Sequence, residues 1–248
     1  MPEIKPQVYR DPRPAETFAP FHEWARTRGA GWTYDLVRII VSPIAIFLYR
    51  CRSIAVENVP ASGPVILAPN HFSNFDHFFA GIYTRRRIRF LAKSQLFGKN
   101  ALLTYIYRVG GVFPVRRGHH DEEAFITAHA ILTNGGCVLI YAEGGRSRTG
   151  GLGQVRPGVG RLALEAGVPV VPVAIHGSAG VRKWRKLRFP KVTVQYGEPI
   201  TMPVVASPTR EQQLEAANQI FDRVREMYAR LDAEGRKGAL RAVRARYS

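Results

Sequence analysis

The sequence predicts an α/β domain in which a mixed sheet is flanked by helices, preceded by an N-terminal helical segment. Apolar runs of strand length alternate with helical patterns through the middle of the chain, and this alternation favours a layered α/β architecture. The 248 residues, 46% of them hydrophobic, are enough to bury one large core. We therefore expect an N-terminal tail and helical pair at 1–52, one α/β domain at 53–234 and a basic C-terminal tail at 235–248.

The N-terminal part begins with a polar, proline-rich stretch that lacks the apolar run of a secretory signal. Phe18, Phe21 and Trp24 then recur at helical spacing, and a second, almost wholly apolar stretch follows at 32–50. Neither stretch reaches the ~20 apolar residues that a membrane-spanning helix needs. We interpret the two as a helical pair that lies in a membrane interface, with packing on the protein's own core as the alternative.

The α/β domain should contain strands and helices in alternation. The strand-like runs are at 65–68, 88–91, 137–141, 170–175 and 192–196. The helical patterns are at 76–83, 101–107, 121–132, 159–166 and 208–231. The last pattern is amphipathic and should close the core, and the basic tail after it is expected to be mobile.

Positive charge is concentrated in patches. Of a net charge of +17, nearly all lies in three stretches, 85–93, 182–191 and 236–246, which hold sixteen basic residues and no acid. Such patches suit nucleic acid, an anionic bilayer or phosphorylated and acidic substrates, and a solvated basic face is the alternative. Trp184 among basic residues would fit a nucleic-acid-binding protein, but the sequence has no recognised nucleic-acid motif.

The segment from Asn70 to Asp76 contains the most informative chemistry. It follows a predicted buried strand, and loops at strand ends commonly present functional side chains. His71 can accept a proton from an alcohol near neutral pH, and Asp76 can fix its tautomer and stabilise the imidazolium. The pair therefore predicts a dyad that activates a hydroxyl group. Ser73 and Asp76 also fit a helix-capping box with Ser73 as the N-cap, and both interpretations can hold together.

Two polar clusters and one apolar run follow downstream. The stretch 110–117 ends in two arginines, and an arginine there can hold a phosphate through a bidentate fork. In the stretch 141–148, glycines allow close backbone approach, Arg146 supplies charge and Glu143 can accept from a hydroxyl group or orient the arginine. The prolines of the apolar run 168–175 favour an edge or strand-start position beside an opening.

These blocks, in this order, resemble the PlsC-type glycerolipid acyltransferase family, which acylates lysophosphatidic acid. The matching residues are Asn70, His71, Ser73 and Asp76 in the first block, Gly110, Phe113 and Arg116 in the second, Glu143, Gly144, Arg146 and Ser147 in the third, and Pro172 in the fourth. The third block is normally Phe-Pro-Glu-Gly-Thr-Arg-Ser, so Tyr141, Ala142 and Gly145 depart from it. The resemblance extends over about residues 59–200.

The resemblance implies a reaction. His71, oriented by Asp76, would act as general base on the sn-2 hydroxyl of 1-acyl-sn-glycerol-3-phosphate, and the acyl group would come from a thioester donor, acyl-CoA or acyl carrier protein, to give phosphatidic acid. Backbone N–H groups or Asn70 would stabilise the oxyanion. No cofactor or metal is implied beyond the acyl donor. Another lysophospholipid, or glycerol-3-phosphate itself, is the alternative acceptor.

The same resemblance assigns the substrate site. Arg116, Glu143 and Arg146 would bind the glycerol phosphate, and the other matched residues would contribute to the site, with Ser73 serving as a helix cap. A metal site at His119 and its neighbours is disfavoured because zinc-ligand spacing is lacking.

Location follows from the substrates, since a lysolipid and its product both reside in a bilayer. We expect a peripheral protein on the cytoplasmic face of a membrane with an anionic surface, and no specific nucleic-acid partner. The two cysteines, Cys51 and Cys137, suit a reducing compartment.

Overall fold

The computed structural model describes residues 10–118, 121–147, 151–181, 187 and 189–247. Several residues named above lie outside these ranges: His119, Trp184 and most of the basic stretch 182–191.

Within the described residues, seven strands and seven α-helices alternate as the sequence predicts. The strands are β1 (Arg52–Ile54), β2 (Val65–Pro69), β3 (Ile88–Lys93), β4 (Val112–Val115), β5 (Cys137–Leu139), β6 (Val170–His176) and β7 (Thr193–Tyr196). The helices are α1 (Ala19–Thr27), α2 (Trp32–Pro43), α3 (Asp76–Gly81), α4 (Ala101–Val109), α5 (Glu122–Thr133), α6 (Gly158–Ala166) and α7 (Arg210–Tyr247). Helix α2 continues into a π-helical turn at Ile44–Leu48.

The strands form one mixed sheet in the order β1-β7-β6-β2-β5-β3-β4. Strands β2 to β6 are mutually parallel, whereas β7 runs antiparallel to β6. Alternate residues of the central strand β2 enter two different cores: Ile66 and Ala68 pack with α6 and α7, and Val65 and Leu67 pack with α3. The predicted fold class, a mixed sheet flanked by helices, is confirmed.

Two strands, β1 and β4, were not expected from the sequence. Both are edge strands, so each pairs on one side only. Strand β1 has three residues, and β4 contains Pro114, which lacks the N–H group that a central strand would need. Short length and an internal proline weaken the strand pattern but are tolerated at an edge.

Pro172 contradicts the predicted edge or strand-start position. It lies inside β6, which pairs with β2 on one side and β7 on the other. The N–H of Val170 points to Ile200 on the β7 side, and alternation along the strand directs the nitrogen of Pro172 to the same side. The pairing of β6 with β7 ends at Val173, so β7 does not need an N–H group from Pro172.

The C-terminal tail also differs from the expectation of mobility. Gly235 breaks α7 with a φ of 64°, and the helix then resumes as far as Tyr247. Arg236 donates hydrogen bonds to the carbonyls of Arg50 and Val192 at 3.0 and 2.9 Å, and Ala239 is fully buried. The last turns therefore pack on the sheet edge.

The two N-terminal helices behave differently from each other. Helix α1 packs on the core, where His22 Nδ1 lies 2.9 Å from Thr127 Oγ1 and Arg26 pairs with Glu123. Helix α2 and its π-helical turn instead leave a row of large apolar side chains exposed: Trp32, Leu36, Ile39, Ile40, Ile44, Phe47 and Leu48. The predicted helical pair is present, but only its second member has a large uncovered apolar face.

Among the described residues, no single helix is long and apolar enough to cross a membrane. The segments Ala15–Thr27 and Trp32–Leu48 have the required length and composition only when taken together, and they are bent by 88° relative to each other.

Candidate active site

The candidate site lies at the carboxyl ends of the parallel strands. His71 follows β2, Glu143 follows β5 and Arg117 follows β4. Because these strands run in the same direction, the loops after them meet at one edge of the sheet. Ligands commonly bind at this edge in open α/β sheets.

The structure brings the two side chains of the predicted dyad together. His71 Nδ1 lies 2.9 Å from Asp76 Oδ2, and the same oxygen accepts hydrogen bonds from the backbone nitrogens of Phe72 and Ser73, both at 2.7 Å. Asp76 is fully buried and His71 is 7% exposed. The carboxylate is thus fixed by the turn itself, and it can hold the imidazole in one tautomer with Nδ1 protonated.

The turn and the start of α3 set this geometry. Helix α3 begins at Asp76, with Phe75 as its N-cap residue, and a carboxylate in the first helical turn is favoured by the helix dipole. Ser73 is therefore not the N-cap that the sequence predicts. Its Oγ instead accepts from Phe75 N at 3.2 Å and is 2% exposed, so Ser73 stabilises the turn and does not face a substrate.

The surroundings of His71 favour a neutral imidazole. Burial lowers the pKa of His71 below its ordinary value, and the positive charges of Arg117 and Arg146 lower it further, while Asp76 raises it. Because Nδ1 is bound to the carboxylate, Nε2 is the nitrogen that can accept a proton.

Tyr141 stacks on the imidazole of His71, a contact that the sequence analysis missed. The ring centroids are 3.7 Å apart and the planes differ by 14°. The hydroxyl oxygen of Tyr141 is buried and has no hydrogen-bond partner among the described residues, and burial raises the pKa of this phenol well above its usual value. The only signal in the sequence is that Tyr141 keeps an aromatic ring where the third block has Phe.

Two residues of the 141–147 loop hold the backbone of His71. Glu143 Oε1 accepts from the backbone nitrogen of His71 at 3.2 Å, and Ser147 N donates to the carbonyl of His71 at 2.8 Å. Gly144 turns the loop between them with a φ of 63°. Burial raises the pKa of Glu143 to about 7, so this carboxyl group titrates near neutral pH.

Arg117, not Arg116, approaches the dyad. Nη2 of Arg116 donates to the carbonyl of Arg13 at 2.9 Å, which directs this nitrogen to the N-terminal segment, and the place of Arg116 at the substrate stays a prediction. Nη1 of Arg117 lies beside Gly145, 3.5 Å from the position that a Cβ atom would have if this residue were not glycine. Within the described part of the chain, Arg117 has no hydrogen bond or ion pair. Burial and the charge of Arg146 lower the pKa of Arg117.

This arrangement of histidine, carboxylate and arginines lies in the segment that a family model covers. The sequence model of the Acyltransferase family matches residues 50–176. The chain belongs to the Acyltransferase family. The resemblance drawn from the four sequence blocks is thereby confirmed at the level of the family.

Curated relatives and one solved structure agree with the family. A probable 1-acyl-sn-glycerol-3-phosphate acyltransferase of Mycoplasma genitalium is 30% identical over 47% of this chain and 46% of its own length. The chloroplastic 1-acyl-sn-glycerol-3-phosphate acyltransferase LPAT1 of Arabidopsis thaliana is 27% identical over 54% of this chain and 38% of its own length. The chain thus spans less than half the length of these two relatives.

A solved structure shares the fold. The 1-acyl-sn-glycerophosphate (LPA) acyltransferase PlsC of Thermotoga maritima has a TM-score of 0.56 and 21% sequence identity to this chain, over 85% of this chain and 88% of PlsC. The mixed sheet with its flanking helices is therefore the fold of that protein as well.

Asn70, in the first family block, has a structural role that the sequence did not indicate. Asn70 is fully buried; its Nδ2 donates to the carbonyl of Ile175 at 3.1 Å, and its Oδ1 accepts from Ile175 N at 2.7 Å. Both polar groups of the amide are therefore used to join the ends of β2 and β6. The second N–H of the amide is not part of this pair of bonds, so a role of Asn70 at the oxyanion stays a prediction.

Two residues matching the second and fourth family blocks belong to the core. Phe113 is fully buried, with its ring 6.4 Å from that of His22, and Pro172 is buried inside β6, four residues before the strand ends. Their predicted contact with substrate is wrong, because both side chains pack between the sheet and the helices. Their blocks are apolar for reasons of packing.

Gly110 of the second family block lines an apolar cavity of about 280 Å³. The cavity lies between α2, α3, α4 and β3, and its walls include Val41, Phe78, Phe90, Leu103 and Gly110. His77, which directly follows Asp76, also lines it, and burial lowers the pKa of His77 to about 4. The cavity wall thus includes the residue that directly follows Asp76 in the sequence, a relationship that the sequence did not indicate.

Proposed function

We propose that this protein transfers a fatty acyl group from a thioester donor to the free hydroxyl of 1-acyl-sn-glycerol-3-phosphate, giving phosphatidic acid. The observation that carries the proposal is the buried His71–Asp76 pair beside Arg117 and Arg146 at one edge of the sheet. The names of the relatives from M. genitalium and A. thaliana support this acceptor.

In the proposed reaction, Nε2 of His71 takes the proton of the acceptor hydroxyl as its oxygen attacks the thioester carbonyl. Asp76 stabilises the imidazolium that forms. Collapse of the tetrahedral intermediate breaks the carbon–sulfur bond, and the imidazolium returns its proton to the leaving thiolate. Such general base catalysis typically contributes about 10²–10⁴-fold, and a thioester is already activated, so no covalent acyl-enzyme is required.

The acceptor phosphate would bind to Arg117 and Arg146. Burial lowers the pKa of Arg117 and the charge of Arg146 lowers it further, so a bound phosphate would offset an unfavourable positive charge here. Charge-assisted hydrogen bonds to arginine contribute about 1.5–3 kcal/mol each. Glu143 is close enough to His71 to contact the glycerol part, and its pKa of about 7 lets it act as either donor or acceptor.

An acyl chain would occupy the apolar cavity beside α3. Its walls are almost entirely apolar, and His77 is the wall residue adjacent in sequence to the dyad. Helix α2, whose exposed apolar row would face a bilayer, lines the same cavity with two other residues, Val37 and Val41.

We further propose that the protein is bound peripherally to the cytoplasmic face of a membrane. The exposed row on α2 supports this placement, and so does the net charge of +17, because each basic residue near an anionic surface contributes about 1 kcal/mol. The acyl donor, acyl-CoA or acyl carrier protein, is also anionic. No cofactor and no specific nucleic acid are part of the proposal.

The test is an assay of the purified full chain. Lysophosphatidic acid, a second lysophospholipid and glycerol-3-phosphate are each offered with acyl-CoA and with acyl carrier protein, and products are measured by mass spectrometry. We expect phosphatidic acid from wild type and none from His71→Ala. His176→Ala is the matched control, since His176 also pairs with a carboxylate, Asp232, at 3.3 Å, and it should retain turnover. Absence of transfer to every acceptor by wild type contradicts the proposal.

A further inference from the structure

We propose that Tyr141 is a positioning residue for acyl transfer, whose aromatic face stabilises the positively charged imidazolium of His71 as that ring takes the acceptor proton. The inference rests on the proposed function and adds a residue to it. It is carried by the stack between the two rings, with centroids 3.7 Å apart and planes 14° from parallel.

The stack has the geometry that suits a cation on an aromatic face. Two neutral aromatic rings prefer offset or edge-to-face packing with centroids about 4.5–7 Å apart. The other near-parallel pair beside the cavity, Tyr34 and Phe90, follows that rule at 6.3 Å. A face-to-face contact at 3.7 Å is more favourable when one ring is positive, because the electron-rich face of the other attracts the charge.

That preference acts on the transition state. His71 is neutral before the reaction, since burial and the nearby arginines lower its pKa. His71 is positively charged only after it has taken the proton. The attraction between that charge and the Tyr141 ring is therefore stronger in the transition state than in the complex with bound substrate. Such differential stabilisation raises kcat, whereas uniform binding changes only KM.

The fold holds Tyr141 in this place. It follows β5, the strand next to β2, and the amides on either side of it are fixed: Ile140 N donates to Leu67 O at 3.0 Å and Ala142 N to Pro69 O at 3.3 Å. Its carbonyl accepts from Gly144 N at 3.0 Å. The ring therefore lies against His71 without needing its hydroxyl, which has no partner among the described residues.

The kinetic test compares Tyr141→Leu with Tyr141→Phe. Leucine keeps the site dry but removes the aromatic face, so kcat should fall about 3- to 30-fold with the acceptor KM within twofold of wild type. Phenylalanine keeps the face and should restore at least half of kcat. A Leu variant with wild-type kcat, a loss confined to KM, or a Phe variant as impaired as Leu would each overturn the proposal.

A second readout needs no substrate. The imidazole resonances of His71 are followed by NMR during a pH titration, assigned by their loss in His71→Gln. Tyr141→Leu should lower the pKa of His71 by about one unit and remove the upfield ring-current shift, while Tyr141→Phe keeps both and His176 is unchanged. An unchanged His71 titration in the Leu variant overturns the inference.

The two readouts separate the inference from the proposed function. If wild type transfers no acyl group, the proposed function fails, but the NMR titration still decides whether Tyr141 stabilises the His71 imidazolium. Circular dichroism confirms folding of each variant, and Tyr141→Met replaces Tyr141→Leu if the latter does not fold.

Discussion

Oδ2 of Asp76 lies 2.9 Å from Nδ1 of His71 and also closes the turn on which His71 is carried, through the amides of Phe72 and Ser73. One carboxylate oxygen therefore does two things. It fixes the tautomer of the imidazole, and it fixes the backbone that places the imidazole at the sheet edge. Chemistry and local folding depend on the same atom.

Asp76→Asn is expected to lower kcat by about 10²–10⁴-fold, because an amide cannot hold the imidazole in the same tautomer or balance the imidazolium. Stability should also fall, by about 1–3 kcal/mol, since the turn loses a charged acceptor. Steady-state kinetics and urea unfolding measure both. Asp232→Asn, at the exposed His176 pair, is the control and should change neither by much. Near-normal turnover of Asp76→Asn would refute the dyad.

Arg117→Gln should raise the acceptor KM roughly 10- to 100-fold, since one charge-assisted contact to the phosphate is lost. Arg116→Gln is the neighbouring control, because its guanidinium binds the Arg13 carbonyl, and it should leave KM almost unchanged. Initial rates over a range of lysophosphatidic acid concentrations distinguish the two. A larger rise of the acceptor KM in Arg116→Gln than in Arg117→Gln would instead favour Arg116 as the phosphate ligand.

Asn70→Ala should lower the free energy of unfolding by about 2–4 kcal/mol, since the backbone N–H and C=O of Ile175 both lose their side-chain partner. The exposed Asn74→Ala is the control and should be close to neutral. Urea unfolding followed by tryptophan fluorescence gives the two values. A stable Asn70→Ala protein with a specific loss of kcat would instead favour a direct catalytic role for Asn70.

Glu143→Gln should become progressively more stabilising as pH rises. The pKa of Glu143 is about 7 in the folded protein against an ordinary 4.5, so the folded state prefers the neutral acid. The protonated Glu143 side chain contributes fully to the stability of the folded protein below pH 4.5, and this contribution is lost as pH rises through 7. At ~1.4 kcal/mol per pKa unit, the variant should gain up to roughly 3 kcal/mol on wild type between pH 5 and 8. Unfolding at several pH values, with the exposed Glu234→Gln as control, checks this, and a constant difference would contradict it.

The double variant Ile39→Ser, Phe47→Ser should bind anionic phospholipid vesicles at least tenfold more weakly, because these side chains are 69% and 80% exposed on the α2 face. Val204→Ser is the control, an equally exposed valine on the loop before α7. Cosedimentation measures binding, and added salt should weaken binding of all the proteins. If the Val204 control loses as much as the double variant, α2 is not the membrane face.

Local patterns predicted much of the fold. The five expected strands and the helices between them are present, because each has a clear apolar period of its own. The strands that escaped prediction, β1 and β4, lie at the two edges of the sheet, where short length and Pro114 are tolerated. Mobility was wrongly expected after Gly235, since a glycine and a run of basic residues do not reveal that the helix resumes and packs.

The sequence by itself determined the alternation of strands and helices, the spacing of His71 and Asp76 in one turn, and the family. These depend on neighbouring residues. Tertiary structure alone decided that Arg117 approaches the dyad while Nη2 of Arg116 binds the carbonyl of Arg13, because the path of the turn after β4 sets where each side chain goes and the sequence pattern does not show it. It also decided that Tyr141 stacks on His71 and that Asn70 hydrogen-bonds to Ile175, 105 residues away, since such contacts exist only once distant strands are paired.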